Sequence, residues 1–360
     1  MEDWKYTFEP VSKALWLKQI EADLHSKGLD SLQSEWWPGE PIIPFHQHED
    51  RKDDIILPNS LFDQPPKIIE WIDTTMLEAR VINNRILNAL NYGAESLILQ
   101  IDTNDKMPFR LWLHDVLTDM IELSVCADQE APEIIHAIKE IIPRSSLIRL
   151  QRKNHPQSSS VFFEALQGSL DETANTFRFV YSIPGSGSWI NQTVKIFQLL
   201  LDDLAYWTSQ GLNPTDFLES CILSYTPDEK YYKQVIQMRV LHLLWNNLWS
   251  HSIKGNHLSS SPYLECHIVN HTSVEPDQYL IQSSSSALGA SLTGAHGFCV
   301  HHQASEDIPI FYQRIDRNIH HLLHMESEMY RGVDPLAGSY TFDFYTRKWT
   351  EEIWEKLKRL

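Results

Sequence analysis

Two groups of histidines in this sequence have the spacing of metal ligands. His46 and His48 lie two residues apart and precede two acidic residues, and on an extended chain such a pair can share one metal. His320 and His324 lie four residues apart, which places them on one side of a helix, but no third ligand accompanies them. We interpret the first group as a solvated polar loop and the second as a surface or interface face. We therefore predict no metal site.

The segment Gly185-Ser-Gly-Ser188 lies between a predicted strand and a predicted helix. Backbone amides at such a turn can cradle a phosphate at the helix N-terminus. A third glycine and a nearby lysine are absent from the loop. We therefore interpret this segment as a loop that has replaced a catalytic loop, and not as a phosphate site.

Eight short apolar runs alternate with helical stretches from about residue 66 onward. Most lack strict alternation of polar and apolar residues, as expected for parallel strands that are buried on both faces. Strands separated by helices require parallel crossovers, and eight such units close naturally into a barrel. We predict an α/β fold, a (β/α)8 TIM barrel, with a doubly wound open sheet as the alternative. The predicted strands are Ile68–Asp73, Leu97–Ile101, Ile121–Cys126, Leu147–Leu150, Phe177–Ile183, Cys221–Tyr225, Leu264–Val269 and His296–Val300.

The first 65 residues do not fit this repeat. They contain a stretch rich in proline, aspartate and histidine that also carries Trp36, Trp37 and Phe45. An apolar arm outside a barrel packs either on its own barrel or on a second subunit, and the sequence leaves both alternatives open. We divide the chain into an N-terminal helix and arm, residues 1–65, predicted to contact another subunit, and a barrel, residues 66–360.

The composition restricts the partners and the compartment. A formal net charge of −18 argues against nucleic acid and anionic membranes, because both require clustered cations. The four cysteines form no CxxC pair, which favours a reducing compartment over a disulfide scaffold. The sequence also has no apolar run of membrane-spanning length and begins without a signal-peptide pattern. We expect a cytoplasmic protein.

The C-terminal third carries two characteristic segments. They resemble the RIARN and DPLAGSY segments that close the barrel of acyl-CoA mutases, above all of methylmalonyl-CoA mutase. In the second segment Asp-Pro starts a turn, and a glycine permits a backbone angle that other residues resist. The resemblance covers nearly the whole chain and is strongest here. The matching residues are Arg314, Arg317, Asn318, Asp334, Pro335, Gly338, Ser339 and Tyr340.

This resemblance implies a barrel that holds an acyl-CoA along its axis beneath a separate cobalamin-binding domain. The chemistry of the family is a radical rearrangement of the acyl group of a CoA thioester, dependent on adenosylcobalamin. Catalysis in the family relies on a tyrosine and a histidine at the end of a barrel strand, where barrel active sites lie. The histidine polarises the thioester carbonyl.

The residues that carry this chemistry in the family are replaced in this chain. Ser186 stands at the position of the tyrosine and Gly187 at that of the histidine, so neither an aromatic ring nor a hydrogen-bonding side chain remains. Four further polar positions of the family's substrate site also differ. We therefore expect no catalytic residue and interpret these positions as a degenerate substrate site. The further positions are Gln282 with Ser283, which replace an Arg-Thr pair, His296, which replaces a glutamine, and Cys299, which replaces a histidine.

A cobalamin-binding domain usually supplies a histidine ligand from a DxHxxG motif. The sequence contains one formal match, Asp23-Leu-His25-Ser-Lys-Gly28, but the residues before it predict a helix and not the strand that the motif needs. We interpret the match as chance. We expect no cobalamin-binding domain and no cofactor bound by this chain alone.

Three hypotheses follow from the sequence. In the first, the chain is the small, non-catalytic subunit of a methylmalonyl-CoA mutase, with a structural or regulatory role. It would pair as a heterodimer with a homologous catalytic large subunit that holds the adenosylcobalamin. In the second, it is an active acyl-CoA mutase barrel that works with a separately encoded cobalamin-binding chain. In the third, it is a different barrel enzyme, such as a metal-dependent hydrolase. The sequence leaves open whether this chain binds an acyl-CoA.

Overall fold

The chain was analysed as a computed structural model. The residues that it describes are 11–25, 27–37, 40–43, 45–50, 55–75, 77–101, 108–127, 147–152, 163, 177–228, 230–253, 261–269, 276–301, 310–329 and 331–359.

Eight parallel strands close into a barrel in which each strand pairs with its neighbours along the chain and the last pairs with the first. All eight strands predicted from the sequence are confirmed, with ends that differ by one or two residues. The closed barrel excludes the open-sheet alternative. The strands are β1 (Lys67–Asp73), β2 (Ser96–Ile101), β3 (Glu122–Ala127), β4 (Leu147–Arg152), β5 (Phe177–Pro184), β6 (Cys221–Thr226), β7 (Tyr263–Val269) and β8 (Gly297–His301).

Helices surround the barrel, and the main core lies between them and the outer faces of the strands. Strand residues such as Phe179 point outward and pack edge-on against Trp207, while Trp189 meets Trp349 on the neighbouring helices. The described helices are α1 (Lys13–Asp23), α2 (Ala79–Asn91), α3 (Phe109–Trp112), α4 (Trp189–Ser209), α5 (Pro214–Ser220), α6 (Tyr231–Ser252), α7 (Pro276–Leu292), α8 (Ile310–His321) and α9 (Tyr340–Lys358).

The DPLAGSY segment forms a buried ionic junction. Arg239 on α6 binds both carboxylate oxygens of Asp334, at 2.7 and 2.6 Å. The same guanidinium donates to the carbonyl of Ile55 at 2.8 Å, and Asp334 accepts the amide of Leu57 at 3.0 Å. Gly338 has a φ of +81°, the left-handed angle expected for this turn. The segment therefore joins α6, the end of the arm and the turn that leads into α9.

The RIARN-like segment also has a structural position. Arg317 on α8 donates to Glu70 on β1 at 2.7 Å, and both side chains are buried between helix and barrel. The guanidinium of Arg314 lies over the ring of Tyr92, 4.6 Å from its centroid, whereas Asn318 is exposed. These residues fix α8 against the outside of the barrel.

The described part of the arm lies on its own barrel. Ile42, Phe45 and Leu57 are buried within the chain, and the amide of Ile43 donates to the hydroxyl of Tyr345 on α9 at 2.8 Å. Phe45 packs edge-on against Trp16 at 5.9 Å, and the subunit contact that we expect for the arm stays a prediction. The physical reason is local, because α9 presents aromatic side chains that cover this stretch. Helix α1, in contrast, buries none of its residues.

Arg239→Met should lower the free energy of unfolding by about 3–5 kcal/mol, because it leaves the carboxylate of Asp334 buried without its cation. Urea denaturation followed by circular dichroism measures this. Arg331→Met is the matched control, since Arg331 pairs with Glu328 at the surface and most of its side chain is exposed. Equal effects of the two substitutions would contradict the structural role of the DPLAGSY segment.

Candidate functional site

The lumen of the barrel is filled in layers by side chains from alternate strand positions. A small apolar cluster occupies its middle, formed by Ile69, Ile98, Cys126 and Cys299. In a parallel strand successive residues point to opposite faces, so each strand sends every second residue inward. This pattern also points polar residues of several strands into the lumen, among them Arg149, Ser182 and His267.

A buried ion pair crosses the lumen. Nη1 of Arg149 on β4 contacts both carboxylate oxygens of Glu265 on β7, at 2.9 and 2.7 Å. Burial by itself would raise the pKa of Glu265, but the charge of Arg149 and hydrogen bonds from His267 and Arg149 lower it to about 2. Nε2 of His267 lies 3.1 Å from Glu265. The carboxylate therefore stays ionised at neutral pH and holds both neighbours in place.

The ion pair is connected to the amino-terminal end of the barrel. Nη2 of Arg149 lies 3.9 Å from Glu122 on β3, and Glu122 accepts from Lys67 of β1 at 2.6 Å. Lys67 and Glu122 are partly exposed to solvent, whereas Arg149 and Glu265 are not. A row of alternating charges thus runs through the barrel, from the solvent at one end to His267 near the other.

Above the ion pair lies a cavity of about 300 Å³. It is at the carboxyl end of the strands, where the active sites of TIM barrels are built. All strands but β8 contribute to its described lining, which combines aromatic and apolar surface with amide and hydroxyl groups. The lining residues are Trp71, Gln100, Cys126, Arg149, Gln151, Val180, Ser182, Ser224, Thr226 and His267.

The two positions that match the family's reactive pair lie at the mouth of the barrel, outside this lining. Ser186 and Gly187 are exposed on the loop between β5 and α4, and Gly187 has a φ of +65°. The preceding Gly185 is tightly packed, since a Cβ there would lie 2.7 Å from the hydroxyl of Tyr225 and 2.9 Å from the carbonyl of Thr226. The loop is therefore held closely against β6.

Gln282 and Ser283 lie on α7, outside the barrel lumen. Ser283 is buried and its hydroxyl contacts Asp316 of α8 at 3.4 Å, while Tyr279 donates to the same carboxyl group at 3.0 Å. Burial raises the pKa of Asp316 to about 7, although the hydrogen bond from Tyr279 opposes this shift. These residues join two outer helices and do not reach the cavity.

His296 and Cys299 stand at different depths of β8. His296 precedes the strand at the amino-terminal end of the barrel, where its ring stacks on Tyr263 at 5.1 Å. Burial lowers the pKa of His296 to about 4. Cys299 belongs to the apolar cluster inside the lumen. The structure therefore brings neither residue into the described lining of the cavity.

The histidines with metal-like spacing are separated from the cavity. The ring of His46 packs on Phe344 of α9 at 4.2 Å. His320 is fully buried and stacks on Phe298 at 4.4 Å, so the surface position that we expected for it is wrong. A helix that packs on a barrel turns one side inward, and His320 is on that side. Among the described residues, no three potential metal ligands come together.

The DxHxxG match does not fit a cobalamin. His25 is exposed just after the end of α1, with a φ of +57°, and a Cβ on Gly28 would meet no atom within 4 Å. A histidine that binds cobalamin from below lies in a pocket. The described residues around His25 and Gly28 do not form one.

Sequence reasoning missed the polar residues that point into the lumen. Arg149 and Gln151 on β4, and Glu265 and His267 on β7, stand at alternating positions inside otherwise apolar strands. Polar residues at a spacing of two in a buried strand face the same side, and in a barrel that side can be the lumen. The sequence contained this signal. It did not show which strands lie opposite each other across the lumen.

Comparisons with known proteins confirm the resemblance derived from the motifs. The sequence model of the methylmalonyl-CoA mutase family matches residues 200–360. The methylmalonyl-CoA mutase small subunit of Porphyromonas gingivalis is 23% identical over 97% of this chain and 62% of its own length. The methylmalonyl-CoA mutase of Cereibacter sphaeroides is 26% identical over 42% of this chain and 22% of its own length. The chain thus spans less than two thirds of the relatives that it matches.

Among solved structures, the dihydropteroate synthase of Xanthomonas albilineans overlaps 71% of this chain and 91% of its own, with 16% identity and a TM-score of 0.41. A TM-score and identity of this size carry no information about function. Within the described residues, no helix has the length and apolar character required to cross a membrane.

Glu265→Gln should lower the free energy of unfolding by about 3–5 kcal/mol at neutral pH, because Arg149 then stays buried without its counter-charge. The folded pKa of Glu265, about 2, lies below its ordinary value of 4.5, so the carboxylate stabilises the fold above pH 4.5. This contribution is lost as the pH falls through the folded pKa.

Chemical denaturation between pH 2 and 7 measures both effects. Glu355→Gln serves as the matched control, because Glu355 pairs with Lys358 on the surface of α9. An unchanged stability of Glu265→Gln would show that the ion pair does not stabilise the barrel.

Proposed function

From the confirmed resemblance to methylmalonyl-CoA mutases, we propose that this chain is the small, non-catalytic subunit of such an enzyme. In this proposal it pairs with a homologous catalytic large subunit in the cytoplasm, and that subunit holds the adenosylcobalamin. The complex interconverts methylmalonyl-CoA and succinyl-CoA. The role of the present chain is structural or regulatory.

The observation that carries this proposal is the match with a small subunit along almost the entire chain. The match with the mutase of Cereibacter sphaeroides spans only 42% of this chain, whereas the small-subunit match spans 97% of it. The arm and the barrel are therefore both similar to a protein that is itself named as a small subunit.

The positions of the reactive pair also support a non-catalytic role. Ser186 and Gly187 are exposed at the mouth of the barrel, and neither can stack on a cofactor or donate from a ring nitrogen to a thioester carbonyl. Below them, the ion pair of Arg149 and Glu265 crosses the lumen with 1% and 0% of the two side chains exposed. An acyl-CoA that lies along the axis would meet this ion pair.

One observation favours the second hypothesis, an active acyl-CoA mutase barrel with a separately encoded cobalamin-binding chain. The cavity at the carboxyl end of the strands retains polar groups, among them Gln151 and His267, where barrel enzymes bind their substrates. The two hypotheses differ in where turnover resides. In the first it depends wholly on the partner, and in the second it needs the present barrel.

The purified chain with adenosylcobalamin and methylmalonyl-CoA should show no turnover, because it lacks both members of the reactive pair.

Mixed with a catalytic large subunit from the same cell, this chain should sediment as a heterodimer. An active complex should lose all activity when the reactive pair of the large subunit is replaced. Turnover by the isolated chain would support the second hypothesis, and a failure to associate would contradict the small-subunit role.

Deletion of residues 1–32 should weaken association with the large subunit by at least tenfold while the barrel stays folded. The reason is that α1 buries none of its residues on its own barrel, and that Leu15 in this helix and Val11 just before it are exposed and available for a partner. Sedimentation measures the association, and circular dichroism checks the fold. The double substitution Val11→Ser and Leu15→Ser is the milder matched variant. Unchanged affinity of both variants would show that α1 is not part of the contact.

A further inference from the structure

We propose that the cavity at the carboxyl end of the barrel binds a small neutral polyhydroxylated molecule, of the size of a monosaccharide or a short polyol. This inference concerns a ligand of the present chain alone. It does not depend on whether the chain is a mutase subunit.

The first argument is the chemistry of the cavity wall. Two side-chain amides, Gln100 and Gln151, and three hydroxyl groups, on Ser182, Ser224 and Thr226, line the cavity. Amides and hydroxyls can each both donate and accept hydrogen bonds. A ligand that carries several hydroxyl groups has the same dual capacity, and it can therefore satisfy such a wall at many points.

The second argument is that neighbouring strands hold these groups in fixed orientations. Gln151 on β4 donates to the hydroxyl of Ser182 on β5 at 3.1 Å. Trp71 on β1 donates from its indole nitrogen to Gln100 on β2 at 3.0 Å. Because strands of a closed barrel move little against one another, these polar groups need not be reordered when a ligand enters.

The third argument concerns charge. Arg149 is the cation among the described lining residues, and both oxygens of Glu265 already bind its Nη1. Nε and Nη2 of Arg149 have no hydrogen-bond partner among the described residues, but the carboxylate of Glu265 beside them would repel an anion. A neutral hydroxyl group can accept from these nitrogens without that repulsion, so a neutral ligand fits the wall better.

The fourth argument is shape. The cavity, about 300 Å³, lies at the small end of ligand pockets, which span roughly 300–1,000 Å³, and a complete CoA ester is much larger. The half-buried indole of Trp71 stands edge-on to the ring of His267, 6.0 Å between centroids. A large aromatic surface beside polar groups suits a molecule with an apolar C–H side and a hydroxylated rim.

Isothermal titration calorimetry tests this inference on the full chain. The probes are glucose, ribose and glycerol as neutral polyhydroxylated compounds, with propionate and succinate as small anions. We expect saturable binding of at least one neutral probe and much weaker binding of both anions. Ser224→Ala and Thr226→Val should each weaken that binding about fivefold, the effect of one lost hydrogen bond.

Ser220→Ala is the matched control, since Ser220 is as buried as Ser224 (5% and 4% exposed) but does not line the cavity and bonds the carbonyl of Phe217. It should leave ligand affinity unchanged. The nearly isosteric Thr226→Val variant keeps the test valid if Ser224→Ala fails to fold, and melting temperatures report the fold.

Three results would overturn the inference. They are no binding of any neutral probe, tighter binding of succinate or propionate, and equal loss of affinity in Ser220→Ala and the two cavity variants. None of these bears on association with a large subunit, which is measured without the probes. A failure of the ligand inference is therefore distinguishable from a failure of the small-subunit role.

Discussion

The barrel depends on one ion pair inside its lumen, between Arg149 and Glu265. A parallel barrel must fill its interior, and here a charged pair does so beside a small cluster of aliphatic and thiol side chains. Neither charge can be removed alone without leaving the other buried and uncompensated. The pair therefore sets the floor of the cavity above it and holds His267 at that floor. It also links the cavity, through Glu122 and Lys67, to the opposite end of the barrel.

Outside the barrel, the characteristic C-terminal segments have a structural task. Asp334 receives Arg239 and the amide of Leu57, and Arg317 reaches Glu70 on the first strand. These contacts fasten the arm, α6 and α8 to a closed barrel. They stabilise the fold independently of the loop that carries Ser186 and Gly187. A buried ion pair is needed for folding whether or not the barrel performs chemistry.

The cavity and the loop above it differ in exposure and in the chemistry of their side chains. Ser186 and Gly187 have no side chains suited to radical chemistry and are exposed, while the lining below them remains polar and ordered by hydrogen bonds between strands. The polar interior does not depend on the side chains of this loop, because the amides of Gln151 and Gln100 bond to side chains of the neighbouring strands. The small-subunit role and the ligand inference are compatible for this reason. One concerns the outer surface and the arm, and the other concerns the lumen.

The sequence by itself determined the barrel, its eight strands and the resemblance to methylmalonyl-CoA mutases, because buried parallel strands and the DPLAGSY turn have strong local patterns. It did not determine which residues share the lumen. Arg149 and Glu265 are 116 positions apart, and only closure of the barrel brings them together. His320 shows the same limit, since its spacing predicts a helix face but not the side that packs on Phe298. Burial and pairing across the barrel arise from the relative positions of distant strands, which no local pattern encodes.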